Sequence, residues 1–184
     1  GGAGGGTELS LNYLCEQKPE LFLLSDGIGG HDDGEIASRF AVDSIFELFQ
    51  NQDNFDILSA ISVTHDKLVN IGSGSLRPLG ATVVGLILTN NLVTIFSLGD
   101  SVCYHLNGER LVNLTEDVKS SRTHSNVIEQ CLGGGITNPK PIILQRKFKI
   151  GDVFILTSDG VSNWADEEQI KMAIQSKHSS FSKK

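Results

Sequence analysis

The sequence predicts an α+β fold, a four-layer α-β-β-α sandwich of two mainly antiparallel sheets flanked by helices. Strand-like apolar segments occur in blocks and are joined by turn pairs typical of hairpins, such as Asn90-Asn91 and Asn107-Gly108. Helical patterns occur as a pair between these blocks instead of alternating with single strands. With 184 residues, 39% of them hydrophobic, the chain is long enough for one domain with a substantial core.

The N-terminal half is predicted to contain one strand, two helices and a block of strands. The first strand covers Glu20 to Ser25, and an acidic run from Asp32 then begins a helix that continues to about Phe49. The spacing predicts a second helix from Phe55 to about Asn70, with five inward-facing apolar residues: Ile57, Leu58, Ile61, Leu68 and Val69. Four strands follow, at about 80–89, 92–98, 102–107 and 110–113.

The C-terminal half is predicted to be strand-rich with short helices. A helix from Asn126 to Leu132 would end at the glycine run 133–135. Two strands, at about 141–148 and 153–158, and a last helix from Asp166 to about Ser176 complete the elements. In domain terms, we expect a flexible or poorly matched segment at 1–19, one incomplete folded domain at 20–176 and a frayed tail at 177–184.

Three of the apolar strands end at an aspartate beside a glycine. The strand ends are Ser25-Asp26-Gly27, Leu98-Gly99-Asp100 and Ser158-Asp159-Gly160. A single such pair is ordinary turn chemistry. Three carboxylates held on rigid strand ends could instead converge on one hard cation, and oxygen ligands suit Mg²⁺ or Mn²⁺.

The blocks around these aspartates carry a family resemblance. The segment Ser25 to His31 with Gly34-Glu35-Ile36-Ala37-Ser38 looks like the Asp-Gly-x-Gly-Gly-His…Gly-Glu-x-Ala-Ser block of the type 2C (PPM-type) metal-dependent Ser/Thr protein phosphatases. Four further blocks follow in the family's order: Gly80-Ala81-Thr82, Gly99-Asp100-Ser101, Leu114-Thr115-Glu116-Asp117 and Gly151-Asp152 to Ser158-Asp159-Gly160. The resemblance covers about residues 20–175 and is closest to bacterial-type members.

The resemblance implies hydrolysis of phosphoserine and phosphothreonine in proteins by a metal-activated water. Two Mg²⁺ or Mn²⁺ ions are expected, and a third can bind. Asp26 would bridge the two metals, Gly27 would offer its backbone carbonyl to one, and Asp159 would ligate the other, so that Asp26 and Asp159 are the predicted catalytic residues. Asp100 matches the aspartate that helps to hold the third metal in many bacterial members.

Two family elements have no counterpart in the chain. These are an N-terminal Arg with a Glu-Asp run and a C-terminal Gly-x-x-Asp-Asn segment. The chain is then a fragment of an active enzyme, which we favour. The alternatives are a catalytically impaired relative that binds phosphoproteins or another partner, and a site whose missing groups come from another chain. His31 is either a general acid or, as we prefer, a residue of the helix start.

Bulk properties restrict the partners and the compartment. A net charge of −7 argues against nucleic acid as a partner, and no apolar run reaches the roughly 18 residues that span a bilayer. The three cysteines, Cys15, Cys103 and Cys131, lack metal spacing and are expected to be buried thiols. We therefore expect a cytoplasmic monomer that acts on phosphorylated proteins, with no membrane partner and no visible signal peptide.

Overall fold

The structure is a computed structural model that describes residues 18–28, 31–73, 78–115, 130–162 and 165–181. Within these ranges the strands are β1 Glu20–Leu24, β2 Gly27–Ile28, β3 Gly80–Ala81, β4 Val83–Thr89, β5 Leu92–Leu98, β6 Val102–Asn107, β7 Arg110–Asn113, β8 Leu132–Gly133, β9 Ile142–Lys147 and β10 Val153–Thr157. The helices are α1 His31–Asn51, α2 Ile57–Gly72, α3 Asp159–Ser162 and α4 Glu167–Phe181.

The strands form three antiparallel sheets. Sheet I has the order β1-β4-β5-β9, sheet II the order β10-β6-β7, and the short sheet III the order β2-β3-β8. The hairpin between β4 and β5 turns at Asn90, whose φ of 34° is in the left-handed region that asparagine tolerates. Gly108 has a φ of 60° in the hairpin between β6 and β7. Both predicted turn pairs therefore form hairpins.

The central strands of sheet I, β4 and β5, are largely buried on both faces, which explains their mostly apolar sequences. Alternate residues of β4 point to opposite sides, so that Val83 joins the core beneath the helices while Val84 and Leu86 join the core between the sheets. On β5, Phe96 packs toward the helices and Ile95 toward sheet II, both with no exposed surface. Burying one such side chain contributes about 1.5–3 kcal/mol.

Helices cover the outer face of each large sheet. On α1, Ala37, Ala41 and Ile45 recur every four residues and are fully buried against sheet I. On the opposite side, Ile170 of α4 packs with Val102 of sheet II. The layers are thus helices, sheet I, sheet II and helix, and the predicted four-layer α-β-β-α sandwich is confirmed.

Aspartates fix the beginnings of two helices. Asp56 caps α2 because its carboxylate accepts hydrogen bonds from the N–H of Ser59, at 2.9 Å, and from its hydroxyl, at 2.6 Å. Before α4, Asp166 accepts from the N–H of Gln169 at 2.8 Å, and the Gln169 side chain accepts from the N–H of Asp166 at 3.0 Å. This reciprocal pair is a capping box, so the helix begins one residue later than its acidic start suggested.

The predicted helix from Asn126 to Leu132 is wrong at its C-terminal end, and residues 126–129 lie outside the described part of the chain. Leu132 belongs to β8, where it pairs with Ala81 of β3. Gly133, Gly134 and Gly135 have φ values of 64°, 61° and 75°, so the glycine run forms bends instead of ending a helix.

Smaller differences concern the helix ends and faces. Leu58 and Val69 of α2 were expected to face inward but are 53% and 42% exposed, because the buried stripe runs through Ile57, Ile61 and Leu68. The last helix continues to Phe181, beyond the expected end at Ser176. No helix in the described part of the chain is long and apolar enough to span a bilayer.

Candidate metal centre

The strand ends that carry the three predicted aspartates come together at one edge of the sandwich. In sheet I, Leu24 at the end of β1 pairs with Val84, and Leu98 at the end of β5 pairs with Val83. In sheet II, Thr157 at the end of β10 pairs with Val102 at the start of β6, one residue after the turn that contains Asp100. The antiparallel registers therefore bring Asp26, Asp100 and Asp159 to the same side of the molecule.

Asp26 is held by its backbone. Its N–H donates to the hydroxyl Oγ1 of Thr82 at 3.1 Å, and its carbonyl accepts from the Thr82 N–H at 2.8 Å. The Ser25 hydroxyl donates to the Thr82 carbonyl at 2.6 Å. Because these bonds connect residues more than 50 positions apart, the chain between β1 and β2 is fixed by tertiary structure.

The turn before Asp100 requires a glycine. Gly99 has a φ of +113°, and a β-carbon there would lie 2.7 Å from Cγ2 of Thr82 and 2.8 Å from its Cβ. After the turn, the Ser101 hydroxyl lies 2.8 Å from Thr82 Oγ1, and the Ser101 carbonyl accepts from the Ser97 hydroxyl at 3.3 Å. Asp100 itself is half-buried, and its backbone belongs to this closely packed turn.

Gly27 follows Asp26 and packs against the first turn of α1. A β-carbon at Gly27 would lie 2.0 Å from the carbonyl oxygen of Gly34, far inside van der Waals contact. Glycine is therefore required at this position by the close approach of two backbones. The approach also brings the beginning of α1 beside the Asp26 strand end.

Asp159 is positioned by a local turn. It follows β10 and begins the short helix α3, in which the N–H of Val161 donates to the Ser158 carbonyl at 3.1 Å. The Asp159 side chain is half-buried and lies close enough to that of Asp26 to raise the pKa of Asp26. The first and third predicted aspartates are thus neighbours.

The carboxylates influence one another. The pKa of the Asp26 carboxyl is raised above its usual value, although the residue is exposed to solvent. Partial burial beneath neighbouring protein atoms is the largest cause, followed by the negative charge of Asp159. A hydrogen bond with the Gly27 backbone lowers this pKa, whereas the charge of Asp100 and the hydrogen bond to Asp159 raise it. The site accumulates negative charge that a bound cation would neutralise.

The arrangement is not a complete metal cage. Across the described ranges, no three His, Cys, Asp or Glu side chains lie together in a group that could hold a metal ion. The neighbouring carboxylates of Asp26, Asp159 and Asp100 nevertheless provide oxygen donors of the kind that Mg²⁺ and Mn²⁺ accept.

The remaining candidates of the sequence are located as follows. His31 begins α1, but its side chain is not among those described. Cys103 and Cys131 are buried free thiols, as predicted, and Cys15 lies outside the described residues. Burial raises the pKa of Cys103 to about 12 and also raises that of Cys131, so neither is a ready nucleophile at neutral pH.

Sequence reasoning gave no role to Thr82 and Ser101. Both belong to blocks that resemble the phosphatase family, and both are buried hydroxyl residues beside a strand-end aspartate. The available signal was a hydroxyl residue directly before an apolar strand, because a buried hydroxyl needs a partner.

Comparisons with known proteins show the family of the chain. Residues 12–183 match the sequence profile of the family described as Protein phosphatase 2C. The Serine/threonine protein phosphatase PstP of Mycobacterium tuberculosis is 25% identical over 179 residues, which cover 84% of this chain and 34% of the relative. The Serine/threonine phosphatase stp of Listeria innocua is 25% identical over 193 residues, covering 88% of this chain and 74% of the relative. The chain thus spans about a third of the mycobacterial relative's length.

Solved structures have the same fold. The crystal structure of M. tuberculosis PstP/Ppp superposes with a TM-score of 0.70 at 24% identity, covering 84% of this chain and 74% of that one. The PstP catalytic domain in complex with 2 manganese ions gives a TM-score of 0.67 at 23% identity, with coverages of 84% and 74%. Stp1 from Staphylococcus aureus gives 0.71 at 22% identity, covering 85% and 71%. Because the family profile extends over nearly the whole sequence, this chain belongs to the protein phosphatase 2C family.

Proposed function

We propose that this chain hydrolyses phosphoserine and phosphothreonine in proteins with the help of Mg²⁺ or Mn²⁺. The observation that carries the proposal is the position of three strand-end aspartates at one edge of the sandwich, where the nearby charges of Asp159 and Asp100 raise the pKa of Asp26. Unaided hydrolysis of a phosphate monoester is extremely slow, so the site must supply strong catalysis. When bound, two divalent ions would activate water for attack at phosphorus and neutralise charge on the phosphoryl group.

The residues have distinct proposed roles. Asp26 would bridge the two ions, and Gly27, whose backbone packs against Gly34, would present its carbonyl to one of them. Asp159 would ligate the second ion, and Asp100, on the neighbouring turn, would help to hold a third. Support comes from the oxygen-rich donor set and from the PstP catalytic domain that was solved in complex with 2 manganese ions.

The protein's own contribution would be to hold these oxygen donors in a fixed arrangement. The paired hydrogen bonds between Asp26 and Thr82 restrict the bridging carboxylate, and the Gly99 turn restricts Asp100. No covalent nucleophile is needed in this chemistry, which agrees with the raised pKa of the buried Cys103 thiol. The phosphorylated serine or threonine of a protein substrate would approach from solvent, toward which Asp26 is exposed.

The test is phosphate release from a phosphothreonine peptide in the presence of Mn²⁺. We expect D26N and D159N each to lower kcat/KM by at least about 100-fold, because even residues that only support metal ligands cost about 10- to 100-fold. Asp43 provides a matched control, since it is an exposed aspartate that forms a surface pair with Arg39 on α1. D43N should retain activity. Phosphate release that is unchanged in D26N and D159N would contradict the proposal.

A second candidate is a catalytically impaired domain that binds phosphoproteins or another partner. It is favoured by one observation, that no ready three-residue metal group occurs in the part of the chain that is described. Calorimetric titration with Mn²⁺ separates the two functions. Metal binding together with phosphate release supports the enzyme, whereas a folded protein that gives no heat with Mn²⁺ supports the binding domain.

The proposal also includes a cytoplasmic monomer without nucleic-acid or membrane partners. The net charge of −7 and the absence of cysteine spacing for metal or disulfide frameworks support it. Light scattering coupled to size-exclusion chromatography should give the mass of one chain, and duplex DNA should not change the elution.

A further inference from the structure

Thr82 occupies a central position between two of the aspartate-bearing strand ends. It connects β3 to β4, is only 5% exposed, and uses all of its polar groups. Its N–H donates to the Asp26 carbonyl, its own carbonyl accepts from the Ser25 hydroxyl, and its Oγ1 accepts from the Asp26 N–H. Thr82 thus forms more hydrogen bonds than a residue needs merely to connect β3 to β4.

The hydroxyl of Thr82 continues the network to the other strand end. Oγ1 lies 2.8 Å from the hydroxyl of Ser101, which is completely buried. Because Oγ1 accepts the Asp26 N–H and still has a proton and a second lone pair, it can serve Asp26 and Ser101 at the same time. A continuous path of hydrogen bonds therefore runs from the backbone of Asp26 to the residue after Asp100.

The methyl group of Thr82 also contacts the turn before Asp100. Gly99 approaches it so closely that a β-carbon at position 99 would lie 2.7 Å from Cγ2. The turn before Asp100 is thus packed against the methyl group, while the residue after Asp100 is bonded to the hydroxyl. The methyl group therefore packs against this turn, whereas the bonds that join the turn to Asp26 are made by the hydroxyl.

We propose that Thr82 is a positioning residue that sets the separation of the Asp26 and Asp100 strand ends and thereby the affinity of the site for Mg²⁺ or Mn²⁺. This inference rests on the proposed function. Mg²⁺ demands near-ideal octahedral geometry, so the spacing of oxygen donors on separate strands governs its binding. Residues that only orient metal ligands commonly change metal affinity 10- to 100-fold when they are replaced.

A matched control is present elsewhere in the fold. Thr64 on α2 is also completely buried, and its Oγ1 lies 3.0 Å from the hydroxyl of Ser44 on α1. T64V and T82V both remove one member of a buried hydroxyl pair while keeping the side-chain shape. The Thr64 pair lies between the two helices and is bonded to none of the strand-end aspartates.

The experiment is calorimetric titration of the metal-free chain with Mn²⁺, supported by the Mn²⁺-induced shift in Tm. We expect T82V to weaken Mn²⁺ binding about 10- to 100-fold, T82S to stay within about 3-fold of the original protein, and T64V to leave the affinity unchanged. Circular dichroism establishes that each variant is folded. If T82V does not fold, S101A removes the other hydroxyl of the pair and should weaken Mn²⁺ binding in the same direction.

The outcomes separate this inference from the function on which it rests. Failure of the unaltered protein to bind Mn²⁺ would overturn both. If the unaltered protein and T82V bind Mn²⁺ equally, or if T64V weakens binding as much as T82V, the positioning role is wrong and the proposed function stands. Weaker binding in T82V with recovery in T82S supports the positioning role, because general destabilisation would affect T64V equally.

Discussion

The tripeptide Ser-Asp-Gly occurs at two strand ends, and the fold holds its two copies in different ways. At Ser25-Asp26-Gly27, the backbone is bonded to Thr82, and the glycine packs against Gly34. At Ser158-Asp159-Gly160, the chain enters a short helix whose described backbone bond joins Val161 to Ser158. The described backbone bonds of the first copy therefore reach distant parts of the sequence, whereas the described backbone bond of the second copy is local.

This difference bears on the proposed roles of the two aspartates. A carboxylate that bridges two ions must satisfy more geometric constraints than one that ligates a single ion. Asp26 has the proposed bridging role, and it lies on the strand end that tertiary contacts hold. The surrounding residues can thus hold two identical tripeptides in place to different degrees.

Replacing Gly27 and Gly160 by alanine should give the largest difference in stability between the two strand ends. G27A would place a methyl group 2.0 Å from the Gly34 carbonyl oxygen, a contact that only backbone movement can relieve. We expect a loss of about 3 kcal/mol or more in the free energy of unfolding, because overpacking against backbone costs at least as much as overpacking in a core. The measurement is urea denaturation.

G160A is the matched control for this change. The nearest atom to a β-carbon at Gly160 is the Ser158 hydroxyl oxygen at 3.8 Å, which is ordinary contact. Alanine also favours helical backbone by up to about 1 kcal/mol relative to glycine, so G160A should leave stability unchanged or slightly increased. Equal losses in the two variants would show that the strand ends are held alike.

Sequence reasoning could predict the layers of the fold because they depend on local patterns. Hairpin turns such as Asn107-Gly108 and the four-residue spacing of Ala37, Ala41 and Ile45 specify strands and helices directly. The failed helix near Leu132 shows the limit of such patterns. A glycine run is compatible with a helix end or with a bend, and the pairing of Leu132 with distant Ala81 determines the outcome.

In the candidate site, too, local sequence patterns predict only part of the structure. Asp26, Asp100 and Asp159 could be selected because each ends an apolar strand, and their grouping follows from strand pairing. The role of Thr82 could not be selected, since its bonds to Asp26 and Ser101 join segments separated by 56 and 19 positions. Gly27 was selected by resemblance, but the reason for a glycine there is its contact with Gly34.

Replacing single serines tests whether a hydrogen bond between distant segments stabilises the fold more than a local one, and the expected loss of stability is smaller than for G27A. S25A removes the partly buried bond of 2.6 Å to the Thr82 carbonyl, whereas S73A removes an exposed bond of 2.7 Å to Asn70, three residues earlier. We expect S25A to cost about 1 kcal/mol in the free energy of unfolding, and S73A less than about 0.5 kcal/mol. Thermal denaturation of both variants under identical conditions provides the comparison, and a larger loss in S73A would refute it.

The smallest expected effect concerns the charge of Asp26 in the metal-free protein. Its pKa is raised from an ordinary value of 3.8, chiefly by partial burial and by the charge of Asp159. The stability that the protonated carboxyl contributes is present below the unfolded pKa and is lost as the pH rises through the folded pKa. In EDTA at pH 7, D26N should therefore increase the free energy of unfolding, by less than about 1 kcal/mol because Asp26 is exposed.

Asp56 is a control in which the pKa shift has the opposite direction. Its pKa is lowered by hydrogen bonds from Ser59, of which the bond from the hydroxyl has the larger effect and the bond from the backbone N–H the smaller. Its ionised form therefore contributes stability above the unfolded pKa, and this contribution is lost as the pH falls through the folded pKa. D56N should decrease stability at pH 7. Both differences should shrink as the pH falls through the folded pKa of each carboxyl, which lies above 3.8 for Asp26 and below 3.8 for Asp56. Urea denaturation in EDTA at several pH values measures the stability differences of D26N and D56N. A loss of stability in D26N at pH 7 would show that the surroundings of Asp26 do not disfavour its negative charge.

Added Mn²⁺ should make the original protein more stable than D26N, because a cation that binds the folded state stabilises the original protein more than D26N.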